Sequence, residues 1–554
     1  MKSRKLKKIR FDFWTIIIIA SFFLFGIFLI YPLGSLFITS FQDIETGRYT
    51  LDNFVKFFSK KYYYEALINS FTISIIVTIL AILIGAPLAY IMSTVKIRFK
   101  SFVEVLIIIS VLSPPFIGAY SWILLLGRSG VITKFFSNTF GIEFPSIYGF
   151  KGILLVFTLK LFPFIYLYVS GALKKIDVSL SEAAESLGCT GIKKVFTIIL
   201  PLILPTIMAG SLLVFMNCLA DFGTPMLIGE GFRVMPVLIY SEFVSEVGGQ
   251  ANFAAALSTL MVIITAVIFI GQKYVVNRKS YVMNSLKPIS AKKVKGYKNV
   301  LAHLFTYTIV ILAAIPQITV IYTSFLKTSG SMFVKGFSLD SYTIVLSKLG
   351  SSIRNTYVYG IIAIVIIIIL GMLIAYVSIR RKSALTSLLD TLTMFPYIIP
   401  GSVLGITLLL AFNKKPMLLS GTFIIIVISY VIRKLPYTIR SSAAILMQLS
   451  PSLEEASISL GYSEMKTFFK VTAIMMMPGV LAGAILSWIT VINELSSSII
   501  LYTGVTRTLS VAIYTDVIRA SYGTAAALSA ILTATTIISL LIFFRVTGKK
   551  EISL

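Results

Sequence analysis

The chain alternates long apolar stretches with short polar ones. Near-continuous runs of Ile, Leu, Val and Phe occur at 13–40, 67–93, 103–126, 148–173, 203–223, 253–275, 299–325, 356–379, 387–412, 419–438, 476–498 and 525–545. About 20 such residues in a helix cross the hydrocarbon core of a bilayer. The runs are continuous rather than alternating, which predicts spanning helices and not barrel strands. The expected fold is an all-α polytopic membrane protein of about 12 transmembrane helices.

The polar islands repeat. Ser179 to Gly188 reads SLSEAAESLG, and Ser452 to Gly461 reads SLEEASISLG, 273 positions later with seven of ten residues identical. Tyr49-Thr-Leu-Asp-Asn-Phe54 matches Phe337-Ser-Leu-Asp-Ser-Tyr342, and Gly85-Ala-Pro-Leu-Ala-Tyr90 matches Gly371-Met-Leu-Ile-Ala-Tyr376. Asn69 and Ser70 fall opposite Asn355 and Thr356, and Val237-Leu-Ile-Tyr240 echoes Val511-Ala-Ile-Tyr514. The expected domains are 1–275, a basic linker at 276–298, and 299–554. With six spans each, the halves are expected to be parallel repeats about an axis along the membrane normal, with a path between them.

Composition agrees. Of 554 residues, 57% are hydrophobic and 13% charged, against about 25% charged in soluble domains. The net charge of +27 does not point to nucleic acid, because the basic residues cluster in short segments between apolar runs. Lys2 to Arg10, Lys96 to Lys100, Lys174 to Lys194, Lys273 to Lys298, Arg380 to Lys382 and Lys549-Lys550 all fall on one side of the expected topology. That places both termini and both islands in the cytoplasm. The first apolar run is too long for a signal-peptide core and is expected to remain as a span. Cys189, Cys218 and the single His303 leave no basis for a disulfide framework or a His/Cys metal cage.

Each island has local chemistry. Ser179/Glu182 and Ser452/Glu455 have the spacing of a capping box, and Gly188 and Gly461 sit where a helix ends in a left-handed residue. Thr190 and Ser463 are placed to cap a following helix. The predicted unit is a two-turn helix, a glycine turn and a helix returning to the membrane. Its small residues would let another protein approach closely.

These islands resemble the EAA loops of bacterial ABC-importer permeases: E-A-A, glycine six residues after the glutamate, then I-x-L-P. The loop at 179–201 fits with Glu182, Ala183, Ala184, Gly188, Ile198, Leu200 and Pro201. The loop at 452–478 keeps Glu455, Ala456 and Gly461 but has Ser457 for the second alanine, Val471 for the isoleucine and Ala473-Ile474 for Leu-Pro; Pro478 aligns with Pro205. The chain is similar to fused two-module permeases, most like those for ferric iron, with thiamine and aminophosphonate importers as alternatives.

The resemblance implies that the chain lies in the bacterial inner membrane, and that the glutamate, alanines and glycine of each loop dock on one of two copies of a cytoplasmic ATPase. An extracytoplasmic binding protein would deliver the solute. No G-x-x-x-x-G-K-[ST] phosphate loop occurs in the chain, so ATP and Mg would be bound by the partner subunits, no cofactor by this one, and the chain itself is not expected to be an enzyme. A twelve-span secondary transporter is the competing class. The matched cytoplasmic decapeptides and the scarcity of proton-relay residues weigh against it.

Ionisable residues inside spans mark function by default. Asp221 and Glu494 follow their islands at the same offset, with Asn217 and Asn493 nearby; they would line a translocation path, lie at the outer interface or cap a following segment. Lys160 has no evident counterpart in the second half and is read as structural. Pro114 and Pro115, and Pro396 and Pro400, interrupt the third span of each half and are candidate bends. Tyr120 and Trp122 are expected in an interfacial aromatic belt.

Overall fold

The computed structural model describes residues 12–44, 46–143, 145–244, 250–278 and 291–547. The expected linker at 276–298 falls largely on 279–290, outside the described residues. The N-terminal half forms α1 (Phe13–Ser40), α2 (Lys61–Thr94), α3 (Lys100–Leu112), α4 (Pro115–Leu126), α5 (Phe150–Leu173), α6 (Val178–Ser186), α7 (Gly191–Ala220) and α8 (Ala251–Arg278). The C-terminal half forms α9 (Tyr297–Ser324), α10 (Gly350–Arg380), α11 (Ala384–Ile398), α12 (Gly401–Phe412), α13 (Phe423–Gln448), α14 (Ser452–Ser459), α15 (Glu464–Ile492) and α16 (Tyr522–Thr547). One antiparallel hairpin, β1 (Leu326–Ser329) with β2 (Met332–Phe337), follows α9 and pairs Leu326 with Phe337.

Among the described residues, 10 helices are long and apolar enough to cross a membrane, or 11 if the α11–α12 pair, bent by 108°, counts as one span. The expected count of about 12 is not reached on this criterion. At 419–438 the helix α13 has the length, but Arg433, Lys434 and Arg440 interrupt its apolar character. The expected span 103–126 is two helices, α3 and α4.

Both breaks come from proline. Ser113 and Ile399 are extended, with ψ of 142° and 127°, and the following Pro114 and Pro400 are the N-caps of α4 and α12. Proline disfavours helical geometry in the residue before it and has no N–H to continue the ladder. Pro115 occupies the first position of α4, where no donor is needed. Pro396 lies inside the last turn of α11 without ending it, so the bend belongs to Pro400.

The two halves are interlocked. Helix α1 packs on α10 and α11 of the other half, with Trp14 buried against Tyr376 (ring centroids 4.2 Å) and Phe468 (5.0 Å). Helix α9 packs in turn on α3 and α4, where Ser121 Oγ donates to the Pro316 carbonyl at 2.8 Å. Tyr120 and Trp122, expected in an interfacial belt, are instead buried, and Tyr120 Oη donates to the Tyr522 carbonyl at 2.7 Å. A phenol this enclosed needs a partner, and the opposite half supplies it.

Matched sequence produces matched contacts. Asn69 Nδ2 donates to the Arg233 carbonyl (3.0 Å), and Asn355 Nδ2 to those of Val505 (2.8 Å) and Arg507 (3.1 Å). The next residues, Ser70 and Thr356, accept from the backbone N–H of Met235 (2.8 Å) and Leu509 (2.7 Å). Gly85 lets α2 cross α5 closely: a Cβ there would fall 2.7 Å from the Phe162 carbonyl oxygen and 2.8 Å from Ile165 Cβ. Gly371 does the same for α10 on α13, with Thr438 Cγ2 at 2.8 Å. Gly85→Val and Gly371→Val should each destabilise the protein by about 1–3 kcal/mol, as overpacking does. Thermal unfolding of the purified protein checks this, with Gly171→Val, where no atom lies within 4 Å of a Cβ, expected to shift the midpoint little.

Candidate functional site

The loop helices form as short polar units between apolar ones. Helix α6 begins one residue before Ser179: Asp177 is its N-cap and accepts from Ser179 N (2.9 Å) and Ser179 Oγ (2.7 Å). Helix α14 is capped by no side chain. The expected capping boxes are therefore absent from both. In the first loop the nearer Asp177 outcompetes Ser179 as acceptor, leaving Glu182 pointing to solvent. The glycine turns are as expected, with φ of +81° at Gly188 and +92° at Gly461, and no atom within 4 Å of a Cβ at either. Ser463 Oγ accepts from Lys466 N at 3.4 Å, whereas Thr190 occupies the corresponding cap without a side-chain bond.

The returning helices share a further feature. Both contain a π-turn, Val195–Ile199 in α7 and Phe468–Thr472 in α15, at the 273-residue offset. The second forms although Ala473-Ile474 replaces Leu200-Pro201, so Pro201 is not its cause.

Exposure divides the motif residues. Glu182, Ala183, Gly188, Glu455, Ala456 and Gly461 are exposed, while Ala184 and its counterpart Ser457 are buried. Leu187 and Leu460, just before the glycines, are 87% and 82% exposed. Burial also accommodates the departure at Ser457, whose hydroxyl bonds Thr467 Oγ1 at 2.9 Å. The loops are anchored differently. Glu454 accepts from Arg380 Nε (3.0 Å) and Tyr376 Oη (3.1 Å) at the end of α10. In the first loop Lys194 pairs with Glu185 and holds its carboxyl below the usual carboxylate range.

The membrane candidates converge on one cavity of about 210 Å³ between the halves. Asp221, Glu494, Asn217 and Asn493 all line it, together with Lys160, Arg433 and Lys434. Lys160 Nζ lies 3.2 Å from Asp221 Oδ2, and Arg433 pairs with Glu494. Each cation precedes its carboxylate by 61 residues. Lys160 thus has a counterpart, Arg433; the exchange of Lys for Arg hid it, although Pro163 and Pro436 carry the same register.

Both carboxylates also cap. Thr224 N donates to Asp221 Oδ1 (2.9 Å) and Ser497 N to Glu494 Oε1 (3.2 Å). Cavity lining and capping are thus combined in the same two carboxylates. Asn493 Nδ2 donates across the interface to the Leu112 carbonyl at 3.0 Å. Lys434 Nζ, 2.6 Å from Glu494 Oε2, is a third cation; nothing in the sequence singled it out, and only the packing of α13 on α15 shows it facing inward.

Removing one member of a buried pair strands the other charge. Asp221→Leu should destabilise the protein by about 3 kcal/mol, and Asp221→Leu/Lys160→Leu should recover most of that loss. Chemical unfolding of the purified variants gives the coupling.

The family described as binding-protein-dependent transport system inner membrane component matches twice, at residues 81–281 and 367–550. The chain is 31% identical over 567 residues to the ferric transport system permease protein FbpB of Actinobacillus pleuropneumoniae, covering 99% of this chain and 80% of that one. It is 26% identical over 465 residues to the Fe(3+)-transport system permease protein FbpB 2 of Haemophilus influenzae, covering 83% and 86%. The molybdenum transport system permease protein ModB of Haemophilus influenzae is 30% identical over 196 residues, 34% of this chain and 84% of the shorter protein. Two family matches, the paired loop helices and the multi-pass helical fold agree: the chain belongs to the binding-protein-dependent transport system inner membrane components, the membrane permeases of ABC importers.

Proposed function

We propose that this chain is the transmembrane permease subunit of an ATP-driven ferric-iron importer, two permease modules (1–275 and 299–554) fused through 276–298. Two copies of a cytoplasmic ATPase would dock on α6 and α14 and carry the ATP and Mg. A binding protein outside the membrane would deliver iron to the opposite face. Both termini would be cytoplasmic. Support for iron comes from the ferric permeases to which nearly the whole chain is similar.

The observation that carries the docking assignment is the shared exposure pattern of the two loop helices. Glu182 and Glu455 are exposed and make no ion pair among the described residues, and each is followed by an exposed alanine. The adjacent Leu187 and Leu460 present apolar surface. An acidic residue, a small residue permitting close approach and an exposed leucine form a compact docking face. Between the modules, the charged cavity is the natural conduit. ATP binding by the partners would draw α6 and α14 together, and the π-turns of α7 and α15 connect each loop helix to a cavity-lining helix.

Three substitutions test the docking face. Gly188→Asn, which tolerates the left-handed backbone, should retain ATPase co-purification and iron uptake. Gly188→Val and Glu182→Arg should lower both several-fold, since nothing but backbone conformation is disturbed at Gly188. Normal co-purification and uptake in both damaging variants and their equivalents at Gly461 and Glu455 would remove the docking role. Uptake in vesicles with the membrane potential clamped should stop on ATP depletion; continued uptake would favour a secondary transporter.

A further inference from the structure

The cavity between the halves is unequal in charge. Lys160, Arg433 and Lys434 face Asp221 and Glu494, three cations against two carboxylates. All five are largely enclosed, the carboxylates 8% and 5% exposed and Lys434 10%. One cation per carboxylate would complete the set, and the N-terminal half does that: the position matching Lys434 is Leu161, which also lines the cavity. Packing in this fold is therefore compatible with an apolar residue there. Lys434 adds a positive charge that Glu494, already paired with Arg433, does not need.

We propose that this cavity is a binding site for an oxyanion of the carboxylate or phosphate class, free or as the anionic chelate of ferric ion. Lys434 and the remaining donors of Arg433 would hold its oxygens, and Lys160 would face it from the other half. Gly401 leaves room for the Arg433 guanidinium at the cavity wall, since a Cβ there would fall 2.2 Å from Nη1. The wall also carries Asn493 Oδ1, buried and without a hydrogen-bond partner among the described residues, an acceptor suited to an O–H of a hydroxycarboxylate or hydrogen phosphate. An uncomplexed metal cation finds no free carboxylate here, since both are neutralised. The ligand reading extends the iron-import proposal but does not require it, because the charge surplus stands whatever the importer carries.

The test uses the purified full chain in lipid nanodiscs and equilibrium dialysis against labelled phosphate, citrate and ferric citrate. Wild type should bind at least one of these. Lys434→Leu, restoring the residue of the other half, should weaken binding by about tenfold or more, as loss of one charge in a desolvated site does. Lys434→Gln, which keeps a donor, gives the same reading if the leucine variant unfolds. Leu161→Lys should tighten it. Failure of wild type to bind any of the three, or undiminished binding in both Lys434 variants, would overturn the proposal. If phosphate or citrate binds without iron, the ligand is the free anion; if only ferric citrate binds, it is the chelate. Retained anion binding in an importer that takes up no iron would sink the iron reading and leave this site standing.

Discussion

Charges cannot stand alone in a low-dielectric interior, and this constraint shapes the centre of the molecule. Two carboxylates and their cations sit where the halves meet, each pair built from α5 with α7 or α13 with α15. Their desolvation is repaid only if each charge has a partner and its remaining lone pairs are used. The short turns after α7 and α15 meet the second condition, donating Thr224 N and Ser497 N to the same carboxylates. The pair, the end of the helix and the wall of the cavity are thereby fixed together. A residue that moved one would move all three.

The rest of the fold holds this centre in place. Glycines at 85 and 371 bring α2 against α5 and α10 against α13, which sets where the cation-bearing helices run. The exchange of α1 and α9 between halves ties each module to the other through Trp14 and Ser121. At the far end, each loop helix is joined by a glycine turn to a helix that contains a π-turn and ends at a carboxylate of the cavity.

The two halves share this plan and differ in detail. The second loop is bolted to α10 by Arg380 and Tyr376 through Glu454, where the first loop has Ser181 at the matching position. The cavity carries Lys434 in one half and Leu161 in the other. Two copies of one plan in a single chain can diverge in this way, because each always meets the other in a fixed arrangement. The cavity walls are therefore unequal in charge.

Much was legible without coordinates because it depends on local chemistry. Helical membrane spans follow from continuous apolar runs, and glycine turns after the loop helices follow from a backbone that only glycine adopts freely. The breaks at Pro114 and Pro400 follow from a missing N–H. The repeated decapeptide was sufficient to find the loop helices and the family. Sequence misjudged what depends on competition between neighbours: Asp177 displaced the first capping box, and Tyr120 and Trp122 went to the core because α9 crosses from the other half. Above all, the pairing of Lys160 with Asp221 and of Arg433 with Glu494 joins residues 61 positions apart on different helices. Spacing along the chain cannot reveal that contact, because helix packing decides which charges are close enough to neutralise each other.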